Sequence, residues 1–257
     1  MDNSVVVIGL GEMGGVFARG FLKAGVPVYP VTRKTSIQKV LKSLPNPELV
    51  LLAVGEGDFQ PSLEEVPSQW AEKIAFLQNE LLPRDWSEQL GKIEPTIISV
   101  WFEKKKGQDV KVLIPSPVFG RAAELIKTSL ATIDIPVEIR KSKEEMEFEL
   151  ILKNVYILTT NIAGLECGGN VEHLWNEQNS LACEVANEVM DIQAWLTGKS
   201  LDREKLLRGF LMAINGDLEH KCMGRSAPAR LVRAIAVADE AGLAVPKLRE
   251  ILGRHVN

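Results

Sequence analysis

Cysteine and histidine are scarce in this chain, with three of each in 257 residues. Cys167, Cys183 and Cys222 form no Cys-x-x-Cys pair, and His173, His220 and His255 stand at no spacing that would hold zinc. A disulfide framework and a structural metal are therefore not expected, and scattered free thiols fit a reducing compartment. Charge of one sign is lacking too. The formal net charge of −4 comes from 34 acids against 30 bases, without the basic excess that a nucleic-acid partner calls for. No apolar run approaches the length of a membrane span. Met1-Asp2-Asn3-Ser4 carries no basic stretch leading into a signal-type apolar segment. A cytoplasmic protein without nucleic-acid or membrane partners is the expectation.

What is present is ordinary globular composition, 46% hydrophobic and 25% charged, enough for one large domain or two modest ones. Short runs rich in Val, Ile and Leu recur at Ser4 to Ile8, Pro27 to Val31, Leu49 to Val54, Ile74 to Leu77 and Thr96 to Trp101. Further strands are expected at Val110 to Ile114 and Pro136 to Arg140. Helical stretches lie between them, near Glu12 to Ala24, Ser36 to Leu44, Ser62 to Glu72 and Arg121 to Ala131. This alternation predicts a doubly wound, parallel α/β sheet of the Rossmann type. From Glu144 onward the sequence reads as helix, in four or five segments broken at Gly168-Gly169, Thr197-Gly198, Gly224 and Gly242. The expectation is an α/β dinucleotide-binding domain over residues 1–142 and an all-helical domain over 143–257, for substrate binding and dimerisation.

The most informative segment follows the first strand, where Ile8 runs into Gly9-Leu10-Gly11-Glu12-Met13-Gly14. In a dinucleotide-binding turn the first glycine permits the tight turn and the second the approach of a pyrophosphate. The third permits close helix–strand packing. Amides at the helix start then face the phosphates. Glycine-rich turns also occur for purely structural reasons, but here a strand precedes the turn. Met13, Phe17, Phe21 and Ala24 then share one helical face, and Ala24-Gly25 ends the helix. About 20 residues on, where an acid would read a ribose 2′-hydroxyl, stand Thr32-Arg33-Lys34. A guanidinium there can bind a 2′-phosphate bidentately, so NADP is the expected cofactor. The alternative is a solvated basic pair. Val54, at the end of the third strand, is expected to line the same site.

These residues resemble the superfamily of 6-phosphogluconate and hydroxyisobutyrate dehydrogenases. Phe148-Glu149-Leu150-Ile151-Leu152-Lys153, leading through Thr159-Thr160-Asn161 to Gly164-Leu165, resembles the opening of the helical domain of ketopantoate reductases. Asn79 is similar to the asparagine that such enzymes place near the nicotinamide. Ala241 to Pro246 is similar to their C-terminal segment. The resemblance implies an NADP-dependent reductase of a small 2-oxo acid or related carbonyl, with Lys153 as proton donor. It also implies Asn79 and Asn161 as ligands of the substrate, and a homodimer. Three positions depart from the family. Ile157 stands in place of a second asparagine, Ser226 in place of a substrate-binding glutamate, and Glu80 in place of the glycine after Asn79. The hydroxyisobutyrate-type alternative lacks its Gly-x-x-x-Lys-x-x-x-Asn helix here. A dinucleotide-sensing protein without catalysis is the other alternative.

Reduction of a carbonyl leaves an alkoxide, which needs a proton donor and a positive charge close by. Lys153, in the apolar stretch Leu150 to Leu158, can supply both once desolvation lowers its pKa. The competing reading is an exposed Glu149–Lys153 pair at i, i+4. In Gly224-Arg225-Ser226-Ala227-Pro228-Ala229-Arg230, Arg225 or Arg230 is a candidate clamp for a substrate carboxylate, with Ser226 adding a hydroxyl. Alternatively, Ser226 caps the helix entered by Pro228.

Overall fold

A computed structural model describes residues 3–255. The chain forms two compact units, the first ending at Leu150 and the second beginning at Ile151.

In the first unit the strands are β1 (Val5–Ile8), β2 (Val28–Val31), β3 (Leu49–Leu52), β4 (Ile74–Phe76) and β5 (Thr96–Ile98). They continue with β6 (Phe102–Glu103), β7 (Lys111–Val112), β8 (Ser116–Phe119) and β9 (Val137–Ile139). The helices are α1 (Glu12–Lys23), α2 (Ile37–Ser43), α3 (Phe59–Glu64), α4 (Arg84–Leu90) and α5 (Ala123–Ala131). Seven strands make one sheet in the order β2-β1-β3-β4-β5-β8-β9. β1 sits between β2 and β3 in parallel register, Val5 opposite both Val28 and Leu49. Both β1 and β3 are buried along their whole length, which is why their sequences are unbroken aliphatic runs.

The sheet departs from the expected parallel pattern at one place. β8 runs antiparallel to β5 and parallel to β9. Its sequence, Ser-Pro-Val-Phe, contains a proline, which hides a short strand from pattern reading. The stretch expected to pair near Val110 instead makes a separate two-stranded hairpin, β6 with β7. The helix expected over Ser62 to Glu72 is split. α3 ends at Glu64, Val66-Pro67 breaks the chain, and a 3₁₀ turn covers Ser68–Lys73.

α1 begins with an acid, Glu12, and ends with a base, Lys23, both favourable to its dipole. Its end is a Schellman closure. Gly25, at φ 77°, donates to Leu22 O and Val26 donates to Phe21 O. Phe17 and Phe21 are fully buried against Val5, Val7, Leu49 and Leu51, and α5 packs beside α1. The other face of the sheet is covered around Phe76, whose ring meets Phe59 at 5.0 Å and Trp86 at 5.7 Å.

α6 (Lys143–Cys167) is one continuous helix that starts in the first unit and continues through the second. Its opening turns bear on the first unit, where Glu149 accepts from Arg140 Nε at 2.9 Å. The switch to helix therefore comes at Lys143, while the division between units falls later, at Leu150. The second unit adds α7 (Val171–Asn176), α8 (Asn179–Thr197), α9 (Arg203–Gly216), α10 (Ala227–Ala241) and α11 (Pro246–His255). Asp202 caps α9 by accepting from Lys205 N, and Gly198 and Gly242 close α8 and α10 in the left-handed conformation. Glu188 of α8 accepts from Lys247 N and Leu248 N and so holds the start of α11. No helix among the described residues is long and apolar enough to cross a membrane.

Phe17 contributes the central aromatic between α1 and the sheet. Phe17→Ala should lower unfolding free energy by about 3–5 kcal/mol, read from the midpoint of denaturant unfolding.

Candidate functional site

The turn between β1 and α1 behaves as its three glycines suggest. Gly9 lies at φ 94°, and a Cβ there would sit 2.6 Å from Ala53 O at the end of β3. A Cβ on Gly14 would fall 1.9 Å from Gly9 O and 3.2 Å from Ala53 Cβ. Neither site can take a methyl without moving backbone. Gly11 differs, for a Cβ on it meets nothing within 4 Å. It is the helix N-cap, with no side chain closing off the first-turn amides. The open side of Gly11 is thus where a phosphate could approach, and the residues fit a dinucleotide pyrophosphate. Leu10 is exposed at the turn, whereas Met13 is partly buried and packs against the core. Glu12 lies 4.0 Å from Lys104 Nζ, on the loop after β6.

Beside this turn a cavity of about 780 Å³ opens along the ends of β1, β2 and β3. Gly9, Leu10, Gly11, Arg33, Lys34 and Val54 line it, while Glu12, Met13 and Gly14 lie outside its lining. Thr32 Oγ1 accepts from Lys34 N and shares a hydrogen bond with Thr35 Oγ1, which shapes the loop that carries both bases. Asp58 also lines the cavity and bonds Arg33 at 3.2 Å. Asn79 does not line it; it is half-buried after β4. Its neighbour Gln78 is buried and donates to Leu52 O at 2.8 Å and Val54 O at 3.3 Å. Gln78 staples the end of β4 to the end of β3, a role that sequence reasoning missed. Glu80 takes φ 63°, the left-handed conformation that favours glycine.

The second unit gathers the other candidates. Lys153 is half-buried on α6, with Nζ 5.9 Å from the centre of the Tyr156 ring. Burial, and after it the positive charge of Arg230, pushes its ammonium down to about 7. The alternative of a solvent-exposed Glu149–Lys153 pair is not met, since both residues are partly buried, and Glu149 bonds Arg140. Arg230 Nη1 donates to Asn161 Oδ1 at 2.9 Å, and Asn161 Nδ2 donates to Cys222 O at 3.2 Å. The Asn161 amide is therefore engaged at both ends, and it holds Arg230 toward α6. Gly164 lets the Cys222 segment come close, for a Cβ on it would lie 2.7 Å from Cys222 Cβ. Arg225 and Ser226 are exposed, and the Ser226 side chain makes no capping bond to α10. All three cysteines are free, and no cluster of metal ligands occurs among the described residues.

A lysine held near neutrality beside an arginine is suited to two tasks. It can give a proton to a nascent alkoxide, and the pair can attract an anionic substrate.

No protein-family model matches the chain, and no curated protein does. Solved structures match over nearly its whole length. A 2-dehydropantoate 2-reductase from Methylococcus capsulatus has a TM-score of 0.70 at 12% identity, covering 98% of this chain and 95% of its own. D-Mandelate dehydrogenase, in complex with NADH, has 0.65 at 13%, covering 98% and 97%. A dimeric ketopantoate reductase from Staphylococcus aureus has 0.64 at 14%, covering 98% and 96%. The fold is that of the ketopantoate reductases, a Rossmann-like unit followed by a helical one.

The lowered pKa of Lys153 makes stability depend on pH. An unfolded lysine binds its proton up to about pH 10.4. The folded one releases it near 7, so unfolding takes up a proton between these values and stability rises with pH across them. Lys153→Met should remove this slope. Near pH 7 it should stabilise the fold by roughly 2–4 kcal/mol, after allowance for residual exposure. Denaturant unfolding of both proteins at pH 6, 8 and 10 checks this, with the difference shrinking as pH rises.

Proposed function

We propose that this protein is a nicotinamide-dependent reductase that converts the carbonyl of a small 2-oxo acid, or a related substrate, to the alcohol. The observation that carries the reading is Lys153, lowered to about 7 on an apolar helix and set beside Arg230. When bound, the dinucleotide supplies the hydride. Lys153 Nζ supplies the proton to the developing alkoxide, and near neutrality it is present in both protonation states, as a proton donor that must be reloaded requires. Arg230, held by Asn161, pairs with the substrate carboxylate. The exposed Arg225 and Ser226, at the mouth of α10, and Asn79, after β4, add polar contacts to the substrate; Asn79 also reaches the cofactor.

For the cofactor we favour NADPH. Gly9 to Gly14 hold the pyrophosphate, Val54 lines the cavity, and Arg33 and Lys34 meet the 2′-phosphate. The rival reading, a dinucleotide-binding protein without catalysis, draws on Ser226 at the position of the family glutamate. A homodimer is the assembly we propose, as for the dimeric Staphylococcus aureus reductase. Its place of action is the cytoplasm, in keeping with three free thiols.

Two measurements test the reading. In steady-state NADPH oxidation over a panel of 2-oxo acids, Lys153→Ala should lower kcat by about 10²–10⁴ while cofactor affinity holds. Lys153→Arg should also fail, because a guanidinium does not give up its proton. Full turnover in Lys153→Ala, or no turnover of any substrate by the parent protein, would overturn the assignment. In cofactor titrations, Arg33→Ala should weaken NADPH roughly 10- to 100-fold and leave NADH nearly unchanged.

A further inference from the structure

The second strand ends without an acid, yet an acid reaches the same cavity from its other wall. Asp58 closes the 3₁₀ turn Glu56–Asp58 that follows β3, and it stands at the N-cap position of α3. An aspartate there ordinarily accepts from the helix's first amides. Asp58 makes no such bond. Its Oδ2 instead accepts from Arg33 Nη2 at 3.2 Å, across 25 residues of sequence. Both side chains remain open to solvent, Arg33 at 92% and Asp58 at 58%, so a ligand can reach either one without backbone movement. Glu65, on the same wall, adds a second negative charge to the cavity.

We infer that Asp58 sets the cofactor preference of this site, by occupying Arg33 in the free protein and by reading the ribose hydroxyls when the nucleotide carries no 2′-phosphate. The inference rests on the reading of this cavity as the adenosine end of a dinucleotide site. A 2′-phosphate must displace the carboxylate from the guanidinium and then tolerate it as a neighbour of like charge. An unphosphorylated ribose meets no such repulsion, and its 2′-hydroxyl can donate to a carboxylate, the contact by which NAD is ordinarily recognised. Asp58 thus narrows the advantage that Arg33 and Lys34 give to NADPH, and the site accepts both cofactors. The Arg33–Asp58 pair is exposed, so its own strength is modest and the ligand wins the competition.

The test uses binding rather than turnover, on the whole protein. Calorimetric titrations with 2′,5′-ADP, 5′-AMP, NADPH and NADH are compared for the parent, Asp58→Asn, Arg33→Ala and Arg33→Ala/Asp58→Asn. Asp58→Asn should tighten 2′,5′-ADP and NADPH by about three- to tenfold, and weaken 5′-AMP and NADH by a similar factor. In the Arg33→Ala background most of that gain should vanish, because the competition is for Arg33. An unchanged or weakened affinity for 2′,5′-ADP in Asp58→Asn overturns the inference alone, as does an equal gain for 5′-AMP. Failure of the parent to bind either NADPH or NADH overturns the dinucleotide reading and the inference with it.

Discussion

The contact between Gly14 and the carbonyl of Gly9, too close for any side chain, governs the geometry of the first unit. With the first turn of α1 laid directly on the end of β1, the helix can leave the sheet in only one direction. That direction brings Phe17 and Phe21 down onto the aliphatic faces of β1 and β3. It also turns the uncapped amides of the helix start toward the open side of Gly11. The Schellman closure at Gly25 then returns the chain to β2, whose end delivers Arg33 and Lys34 to the same cavity. Packing and ligand binding are here one constraint. A methyl at position 9 or 14 would disturb the core and the candidate phosphate site together.

The second unit uses a different economy. Its helices bury many apolar side chains, and some of the polar groups among them are paired. Asn154 donates to the Gln193 amide at 3.0 Å, and Asn161 is satisfied by Arg230 and Cys222. Lys153 is the exception in kind, since burial works against its charge and Arg230 adds to the penalty. A helix designed only for stability would place a methionine or leucine there. A cation at this position is not something that packing alone explains.

What could be read from the sequence follows the range of the interactions involved. The glycine turn, α1 and the helix stops at Gly198 and Gly242 depend on neighbours within a few residues, and they stand where spacing put them. The buried strands β1 and β3 were legible for a similar reason, as aliphatic runs between turn residues. β8 was not, because a proline interrupts it and its partners are β5 and β9, distant in sequence. The contacts that join Asn161 to Arg230 and Arg33 to Asp58 span 69 and 25 residues, and no local pattern announces them. Gln78 looked like the residue before a candidate asparagine. Only the sheet reveals that its amide is what ties two strand ends together.

The left-handed turn at Glu80 carries a consequence of another kind, for the lifetime of the molecule. An asparagine followed by glycine loses its amide spontaneously, because the next backbone nitrogen attacks the side-chain carbonyl to form a succinimide, and glycine leaves that nitrogen unhindered. In this chain Asn79 is followed by a residue with a full side chain, which obstructs the attack. The backbone accepts a strained conformation at Glu80, and in return Asn79 is protected from the slow conversion to aspartate that would place a negative charge at the end of β4. The left-handed backbone at Glu80 thus costs a little folding stability, while the side chain there slows the loss of the Asn79 amide.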